Sequence, residues 1–161
     1  MIQKLERSQQ LNCNIQTAWS FFSSPHNLSR ITPANMKFKV LSNDKNENIY
    51  EGMTIDYTVT PLFGIPVSWK TKIVQVNELR SFTDFQLKGP YKLWRHYHEF
   101  IPNGQGVLMK DTVAYKLPFG IIGDITHYLL VQKKLKQIFD YRNRVLELLF
   151  NSKQEQALHE A

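Results

Sequence analysis

Cysteine and long apolar runs are what this sequence has least of. Its 161 residues include one cysteine, Cys13, so no disulfide forms within the chain and no thiolate cluster binds a metal. The longest apolar run spans Tyr128 to Val131, whereas a helix needs ~20 such residues to cross a bilayer. Residues 1–7 also lack the apolar stretch typical of a signal peptide. These absences predict a cytoplasmic protein without integral membrane association, in which Cys13 is a small core residue.

Motifs of common catalytic and nucleotide sites are also missing. The sequence contains no P-loop, no G-x-G-x-x-G, no G-x-S-x-G and no H-E-x-x-H. Gly104 and Gly106 lie in a turn signal rather than before a helix. The sequence therefore gives no support for nucleotide binding, serine hydrolase or zincin chemistry, and we expect no cofactor.

The excess of positive charge is modest and dispersed. Lysine and arginine number 20 against 14 acidic residues, which gives a net charge of +6. A basic balance can indicate nucleic acid or an anionic membrane surface as a partner. The densest group, Lys133, Lys134 and Lys136, alternates with apolar residues on a predicted helix. This pattern is typical of a solvated helix face, with an anion-binding surface as the alternative, and we expect no nucleic acid partner.

Aromatic and other apolar side chains are plentiful. The chain has ten Phe, seven Tyr and three Trp, and 42% of its residues are apolar, a supply that disordered chains lack. A chain of this length buries roughly two thirds of its unfolded surface and needs neither disulfides nor metal to hold a core. We expect one domain over residues 1–150 and a polar tail over residues 151–161.

Periodicity predicts a strand, two short helices and then an antiparallel sheet. Residues 2–12 have the pattern of a strand, and residues 15–22 that of a helix capped by Asn14. Ser24 and Pro25 predict the start of a second short helix, which Pro33 ends. Alternation with period two predicts strands over residues 36–42, 53–60, 67–73, 80–88, 91–101 and 107–117. The last two strands flank a hairpin signal at residues 103–106, and the absence of helices between strands favours an antiparallel sheet.

The end of the chain predicts one long helix. Between Gly123 and Phe150 there is no proline or further glycine, and a helix of about 28 residues would be ~42 Å long. Its apolar stripe at helical spacing comprises Ile125, Tyr128, Leu135, Ile138, Val145 and Leu149. Arg142 falls on this stripe. Its charged end either reaches solvent at the edge of the stripe, or it reaches into the cavity or pairs with Asp111 to hold an anionic ligand.

The order of elements and three sequence stretches resemble the START/Bet v 1-like superfamily, the SRPBCC group with the helix-grip fold. The stretches are residues 89–100 (GPYKLWRHYHEF), 111–120 (DTVAYKLPFG) and 62–69 (LFGIPVSW), and the resemblance covers roughly residues 2–150. It is to the bacterial branch described as ligand-binding or polyketide cyclase-like. It implies an α+β fold, in which a curved antiparallel sheet of about seven strands wraps around the C-terminal helix. The fold hosts lipid carriers, cyclases, hormone receptors and chaperone activators.

Strand parity predicts which side chains face the interior. Charged side chains should face water, so the even residues of 91–101, including Trp94, His96 and His98, face inward. On residues 107–117 the inward set is odd and includes Asp111 and Tyr115. The odd residues of 53–59 and 67–73 also face inward, and Phe85 continues this apolar set. The residues expected to bind a ligand are Tyr57, Trp69, Phe85, Trp94, His96, His98, Asp111, Tyr115 and Arg142.

The register of the hairpin decides which histidine meets the buried carboxylate. A turn centred near Asn103 and Gly104 places His96 opposite Asp111, and a turn shifted by one residue toward the C-terminus places His98 there. A buried carboxylate is costly unless it is paired, so a histidine partner is expected in either register.

Three roles are open for this cluster. His96 and Asp111 can be a satisfied structural pair, or the cluster can recognise the polar head of a bound apolar molecule, with Tyr57 or Tyr115. Alternatively, His96 and Asp111 can act as a general acid–base pair on a polyketide-like or aromatic substrate. A His-x-His pair with a carboxylate can also hold zinc or iron. We expect no metal, because a third firm ligand is missing from the same face.

Together these features predict a carrier or sensor that binds a small hydrophobic or amphipathic molecule between the sheet and the C-terminal helix. The alternative is a polyketide cyclase/dehydratase-like enzyme that uses the His–Asp pair in the same cavity.

Overall fold

A computed structural model describes residues 1–42, 48–61, 64–118 and 124–152. Within this part of the chain seven strands form one sheet: β1 Gln3–Leu11, β2 Lys39–Val40, β3 Thr54–Val59, β4 Val67–Asn77, β5 Ser81–Lys88, β6 Leu93–Asn103 and β7 Gly106–Lys116. Two α-helices, α1 Ile15–Phe22 and α2 Asp124–Asn151, accompany two short 3-10 helices, Pro25–Ser29 and Ala34–Met36. Three parts of the sequence discussed above lie outside the described residues: 62–63, 119–120 and the tail from 153 to 161.

The sheet is antiparallel throughout, with the strand order β1-β7-β6-β5-β4-β3-β2. The 28-residue helix α2 packs against it, so the predicted α+β helix-grip architecture is confirmed. No helix in the described part of the chain is both long enough and apolar enough to cross a bilayer.

The segment after β1 follows the prediction only in part. The side chain of Asn14 accepts a hydrogen bond from Thr17 N at 2.8 Å and caps α1 as expected. The second short helix is a 3-10 helix, and Ser24 makes no capping hydrogen bond with its side chain. The strand predicted over residues 36–42 is reduced to Lys39–Val40, because Met36 ends a 3-10 turn and Lys37 has a positive φ of 45°.

The buried stripe of helix α2 contains Leu135 and Arg142, as predicted, and elsewhere lies one residue away from the predicted one. Among its described side chains, from residue 129 onward, the buried ones are Val131, Leu135, Phe139, Arg142 and Leu146, at spacings of three and four residues as an amphipathic helix requires. Ile138, Val145 and Leu149 flank this stripe and are half-buried, while the side chains of Ile125 and Tyr128 lie outside the described part. Arg142 therefore lies within the buried face of the helix.

Three apolar clusters fill the interior of the described part, and the smallest contains Met53, Ile55 and Ile73; the other two lie on either side of a polar layer. One contains Trp94, Val113, Tyr115, Val131, Leu135 and Phe139. The other contains Leu11, Trp19, Phe22, Phe82, Phe100, Val107, Met109 and Leu146. On β6, β7 and α2 the residues between the two clusters are polar, and they are His96, His98, Asp111 and Arg142. A polar layer therefore crosses the interior from the sheet to the helix.

Candidate functional site

A cavity of about 200 Å³ lies between the inner face of the sheet and α2. Most of its wall is apolar or aromatic, and includes Leu28, Ile55, Tyr57, Trp69, Trp94 and Ile138. Its polar lining includes Asp84, His96, His98 and Arg142. The interior thus offers an apolar space with charged and titratable groups in one part of its wall.

Three of the predicted ligand-binding residues form an aromatic wall. The rings of Tyr57 and Trp69 stack with centroids 5.8 Å apart, and Trp94 meets Trp69 edge-on at 5.3 Å. Such arrangements are the ones aromatic rings prefer. The hydroxyl of Tyr57 lies 2.7 Å from Thr71 Oγ1, so this buried polar atom is satisfied, and burial raises the pKa of Tyr57.

Sequence reasoning did not assign Tyr91 to this wall. Its ring centroid lies 4.8 Å from that of Trp94 and 5.6 Å from that of Trp69. The buried side chain of Gln86 donates to Tyr91 O at 2.6 Å and fixes the turn at Gly89. A Cβ at Gly89 would collide with the Gln86 side chain. Close packing against Gln86 therefore explains why glycine stands at the start of the Gly-Pro-Tyr sequence. From the sequence alone, these three residues look like those of an ordinary turn.

Phe85 was assigned to the wrong face of β5. It pairs in register with Arg95 and Lys72, both exposed, and cross-strand partners share a face. Phe82 and Asp84 line the cavity instead. The assignment rested on the apolar character of Phe85, but Asp84 is directly opposite His96 and finds its partners inside.

The β6–β7 hairpin adopts the shifted register. His98 lies opposite Asp111 and Asn103 opposite Gly106, so the expectation that His96 is directly opposite Asp111 is wrong and the alternative is confirmed. His96 nevertheless reaches the same carboxylate diagonally, with Nε2 at 3.0 Å from Asp111 Oδ1. One carboxylate therefore contacts both histidines.

Asp84 contacts the other nitrogens of the same two rings. Its Oδ2 lies 3.2 Å from His98 Nε2 and 3.7 Å from His96 Nδ1. One ligand atom from each of the three residues can be chosen so that all lie within 4.8 Å of one another. The third potential ligand that the sequence did not reveal is therefore Asp84, and it lies on the cavity side of the histidines.

Arg142 joins the helix to this cluster. Only 7% of its surface is exposed, and its Nη2 lies 3.6 Å from Asp111 Oδ2. Its guanidinium also lies over the rings of Phe22 and Phe139, at 5.6 and 5.8 Å from their centroids. Of the two alternatives for Arg142, reaching solvent at the edge of the stripe is wrong, and the inward position paired with Asp111 is correct.

Burial and neighbouring charges shift the pKa values of the two histidines in opposite directions. Burial lowers the pKa of His96, and charge on His98 lowers it further. His98 is buried as well, but its contacts with Asp111 and Asp84 outweigh the burial and raise its pKa. Although burial opposes ionisation of Asp111, the charge of Arg142 and the histidine contacts hold its pKa well below the usual range. Asp111 is therefore an ionised hydrogen-bond acceptor.

Two predicted ligand-binding residues lie behind the cavity wall. Asp111 and Tyr115 are buried, but neither is among the described residues that line the cavity. Tyr115 packs with Trp94 and Tyr91. The residues proposed from sequence as an acid–base pair, His96 and Asp111, are in direct contact, with only His96 at the cavity, and the catalytic role stays a prediction.

Two donors beside the cavity lack a hydrogen-bonding partner among the described residues. They are Trp69 Nε1 and Arg142 Nε, and both atoms are buried. An unsatisfied buried donor costs about 1–3 kcal/mol, so acceptors near them would stabilise the protein.

The fold is shared with proteins of known structure. No family model matches the chain, and no curated protein matches it by sequence. Protein Ms6760 from Mycobacterium smegmatis superposes with a TM-score of 0.69 at 13% identity, over 94% of this chain and 92% of that one. A START superfamily protein from the same organism gives 0.68 at 12% identity, over 91% and 96%. Ginseng major latex-like protein 151 from Panax ginseng gives 0.65 at 19% identity, over 94% and 99%.

At these identities the likeness concerns the fold. This chain has the helix-grip fold of the START and Bet v 1-like proteins.

Proposed function

We propose that the protein binds a small hydrophobic or amphipathic molecule in the cavity between the sheet and α2. The observation that carries the proposal is the composition of the cavity wall. Aliphatic and aromatic side chains form most of it, and Asp84, His96, His98 and Arg142 supply polar groups. Binding sites for small molecules commonly combine a largely apolar wall with a few convergent polar groups.

The volume sets the size of the ligand. An apolar cavity of about 150 Å³ is enough to bind benzene, and the cavity here has about 200 Å³. It is lined in part by half-buried residues such as Ser24, Pro25 and Asn27. We therefore expect a ligand with one or two rings, or an acyl chain, enclosed by the cavity and extending past these residues toward solvent.

The polar groups set the orientation of the ligand. Trp69 Nε1 and Arg142 Nε are buried donors without partners in the described part of the chain. A ligand oxygen that accepts a hydrogen bond from either atom would remove the cost of leaving that donor unsatisfied. We therefore expect the ligand to carry a carbonyl, carboxylate or hydroxyl group at the end that faces α2 and Trp69.

A screen of purified protein tests this proposal. Native mass spectrometry would identify co-purified molecules, and thermal unfolding would be measured with fatty acids, sterols, flavonoids and aromatic polyketides. Binding to the folded state raises the unfolding temperature with ligand concentration, so we expect a concentration-dependent increase for at least one amphipathic class. A crystal structure with a solid interior and no effect of any compound would contradict the proposal. Affinity only for polyanions, falling steeply with salt, would instead indicate a surface function.

A further inference from the structure

We propose that Asp84, His96 and His98 form a binding site for one divalent transition metal ion in the wall of the cavity, with Asp111 as the residue that positions both histidines. The three side chains come from the adjacent strands β5 and β6, on which Asp84 is directly opposite His96. This site goes beyond the binding of an organic ligand and does not require it.

The spacing of the candidate ligand atoms suits a metal ion. Zinc lies about 2.0–2.2 Å from histidine nitrogens and carboxylate oxygens, so two ligand atoms on a tetrahedral ion are ~3.4 Å apart. Asp84 Oδ2 lies 3.2 Å from His98 Nε2 and 3.7 Å from His96 Nδ1, and the ligand atoms of all three residues lie within 4.8 Å. Small side-chain rotations are therefore enough to place one ion between them.

The far side of the histidines is arranged as in metal sites. A histidine that binds a metal through one nitrogen usually donates its other N–H to a carboxylate or carbonyl, which fixes the tautomer and the ring orientation. Asp111 Oδ1 lies 3.0 Å from His96 Nε2 and 2.8 Å from His98 Nδ1. The His96 contact is a hydrogen bond, whereas His98 Nδ1 lies close to the oxygen without hydrogen-bond geometry. Asp111 therefore favours the tautomer in which His96 Nδ1 is unprotonated, whereas His98 Nε2 is hydrogen-bonded to Asp84 Oδ2 at 3.2 Å and would give up that proton to an ion.

The charge of the cluster favours a cation at this point. Arg142 lies beside Asp111 and balances its charge. In the described part of the chain, the only ion-pair partners of Asp84 are the two histidines. His98 Nε2 is hydrogen-bonded to Asp84 Oδ2 at 3.2 Å, and His96 Nδ1 lies 3.7 Å from the same oxygen. A largely enclosed carboxylate is costly unless a cation is near it, and that cation is a metal ion or a proton on His98.

The three candidate metal ligands lie in the cavity wall, where an ion bound to them would be accessible to a molecule in the cavity. Asp84, His96 and His98 all line the cavity, so an ion held by them keeps coordination positions directed to the bound molecule. Two histidines and one carboxylate with open positions are typical of non-haem iron(II) sites and of catalytic zinc sites. An amphipathic ligand with an oxygen at its polar end would complete the coordination.

Metal titration of the folded protein tests the proposal. Protein treated with a chelator, and freed of organic molecules, would be titrated with Zn²⁺ and with Co²⁺, whose visible absorption reports the ligand geometry. We expect one ion per chain, and at least a tenfold loss of affinity in Asp84→Asn, His96→Gln and His98→Gln. Asp111→Asn should lower the affinity by about 10–100-fold without removing a ligand. His26→Gln, at an exposed histidine, is the matched control and should bind like the wild type.

Two further measurements distinguish a loss of metal binding from a loss of folding. Circular dichroism of each variant shows whether it folds. X-ray absorption on the wild-type zinc complex counts the histidine ligands without any variant, and we expect two. No stoichiometric binding, affinities unchanged in Asp84→Asn, or a zinc ion without two histidine ligands would each overturn the proposal and leave a proton as the bridging cation. Since the titration uses no organic ligand, its failure leaves the proposed ligand binding untouched.

Discussion

Asp84 and Asp111 contact opposite nitrogens of the same two imidazole rings. Asp84 Oδ2 lies 3.2 Å from His98 Nε2 and 3.7 Å from His96 Nδ1, and Asp111 Oδ1 lies 2.8 Å from His98 Nδ1 and 3.0 Å from His96 Nε2. Asp84 lies at the cavity and Asp111 behind it, next to Arg142 of α2. The histidine pair therefore connects the cavity wall to the contact between sheet and helix.

Arg142→Met should strongly destabilise the fold. The substitution removes the cation next to the buried carboxylate of Asp111, and loss of one partner of a buried ion pair costs about 3–5 kcal/mol. Urea unfolding followed by circular dichroism measures the change. The matched control is Arg144→Met, because Arg144 is exposed on the same helix and a surface substitution changes stability by only about 0.5 kcal/mol. Equal effects of the two variants would show that the buried pair does not hold the helix.

Gly89→Ala should disturb the aromatic wall. The added Cβ meets the side chain of Gln86, which holds Tyr91 through its backbone oxygen. Overpacking of this kind costs about 1–3 kcal/mol, so the unfolding midpoint should fall and the near-UV circular dichroism should change. Gly104→Ala is the control, because a Cβ there has no atom within 4 Å. A near-UV spectrum identical to the wild type in Gly89→Ala would contradict the role given to the turn.

Tryptophan fluorescence should report ligand binding from two of the three tryptophans. Trp69 and Trp94 line the cavity, whereas Trp19 packs against Phe82 and Phe100 in a different apolar cluster. The fluorescence change caused by a ligand from the screen should persist in Trp19→Phe. It should be lost in the double variant Trp69→Phe/Trp94→Phe. The opposite pattern would place the ligand outside the cavity.

Cys13 should react slowly with alkylating reagents. Burial raises the pKa of its thiol to about 11, against about 8.5 for a free cysteine, and the thiolate is the reactive form. At pH 8 the folded protein should react with iodoacetamide roughly a hundredfold more slowly than the chain in urea. The raised pKa contributes stability that is complete below about pH 8.5 and is lost as the pH rises toward 11. Equal rates in the folded and unfolded chain would contradict this.

The sequence predicts the inner faces of most strands because alternation has a fixed period. On β6 and β7 the parity of the charged residues identifies Trp94, His96, His98 and Asp111 as buried, and all four are. The Asn-Gly-Gln-Gly segment is compatible with two registers of that hairpin, so the sequence does not decide between them. The structure selects the turn at Gly104 and Gln105, which a count of residues alone does not decide.

The error at Phe85 and the open alternative at Arg142 have one physical origin, which is that partners brought from other elements satisfy charges inside. Asp84 faces the cavity because His96 and His98 contact it, although the apolar character of Phe85 predicts the opposite face. Shifts in the pairing of β4 with β5 near Val74 further break the simple alternation there. Arg142 is buried on α2 because Asp111 lies across from it. The pairing of Asp84 leaves no signal in the local sequence of β5, whereas the position of Arg142 on the apolar stripe of α2 made its pairing with Asp111 one of two alternatives.

The central claim is that a ligand binds between the sheet and α2, and a substitution that fills the cavity tests it most directly. Ile138 lines the cavity from α2, so Ile138→Trp should fill part of its space. Leu148→Trp adds the same ring at an exposed position on the same helix, where 67% of the residue surface is accessible. Each variant would be titrated with anilinonaphthalene sulfonate, an amphipathic probe whose fluorescence rises in apolar sites. We predict at least a tenfold loss of affinity in Ile138→Trp and wild-type affinity in Leu148→Trp; equal affinities in the two variants would contradict a ligand site between the sheet and the helix.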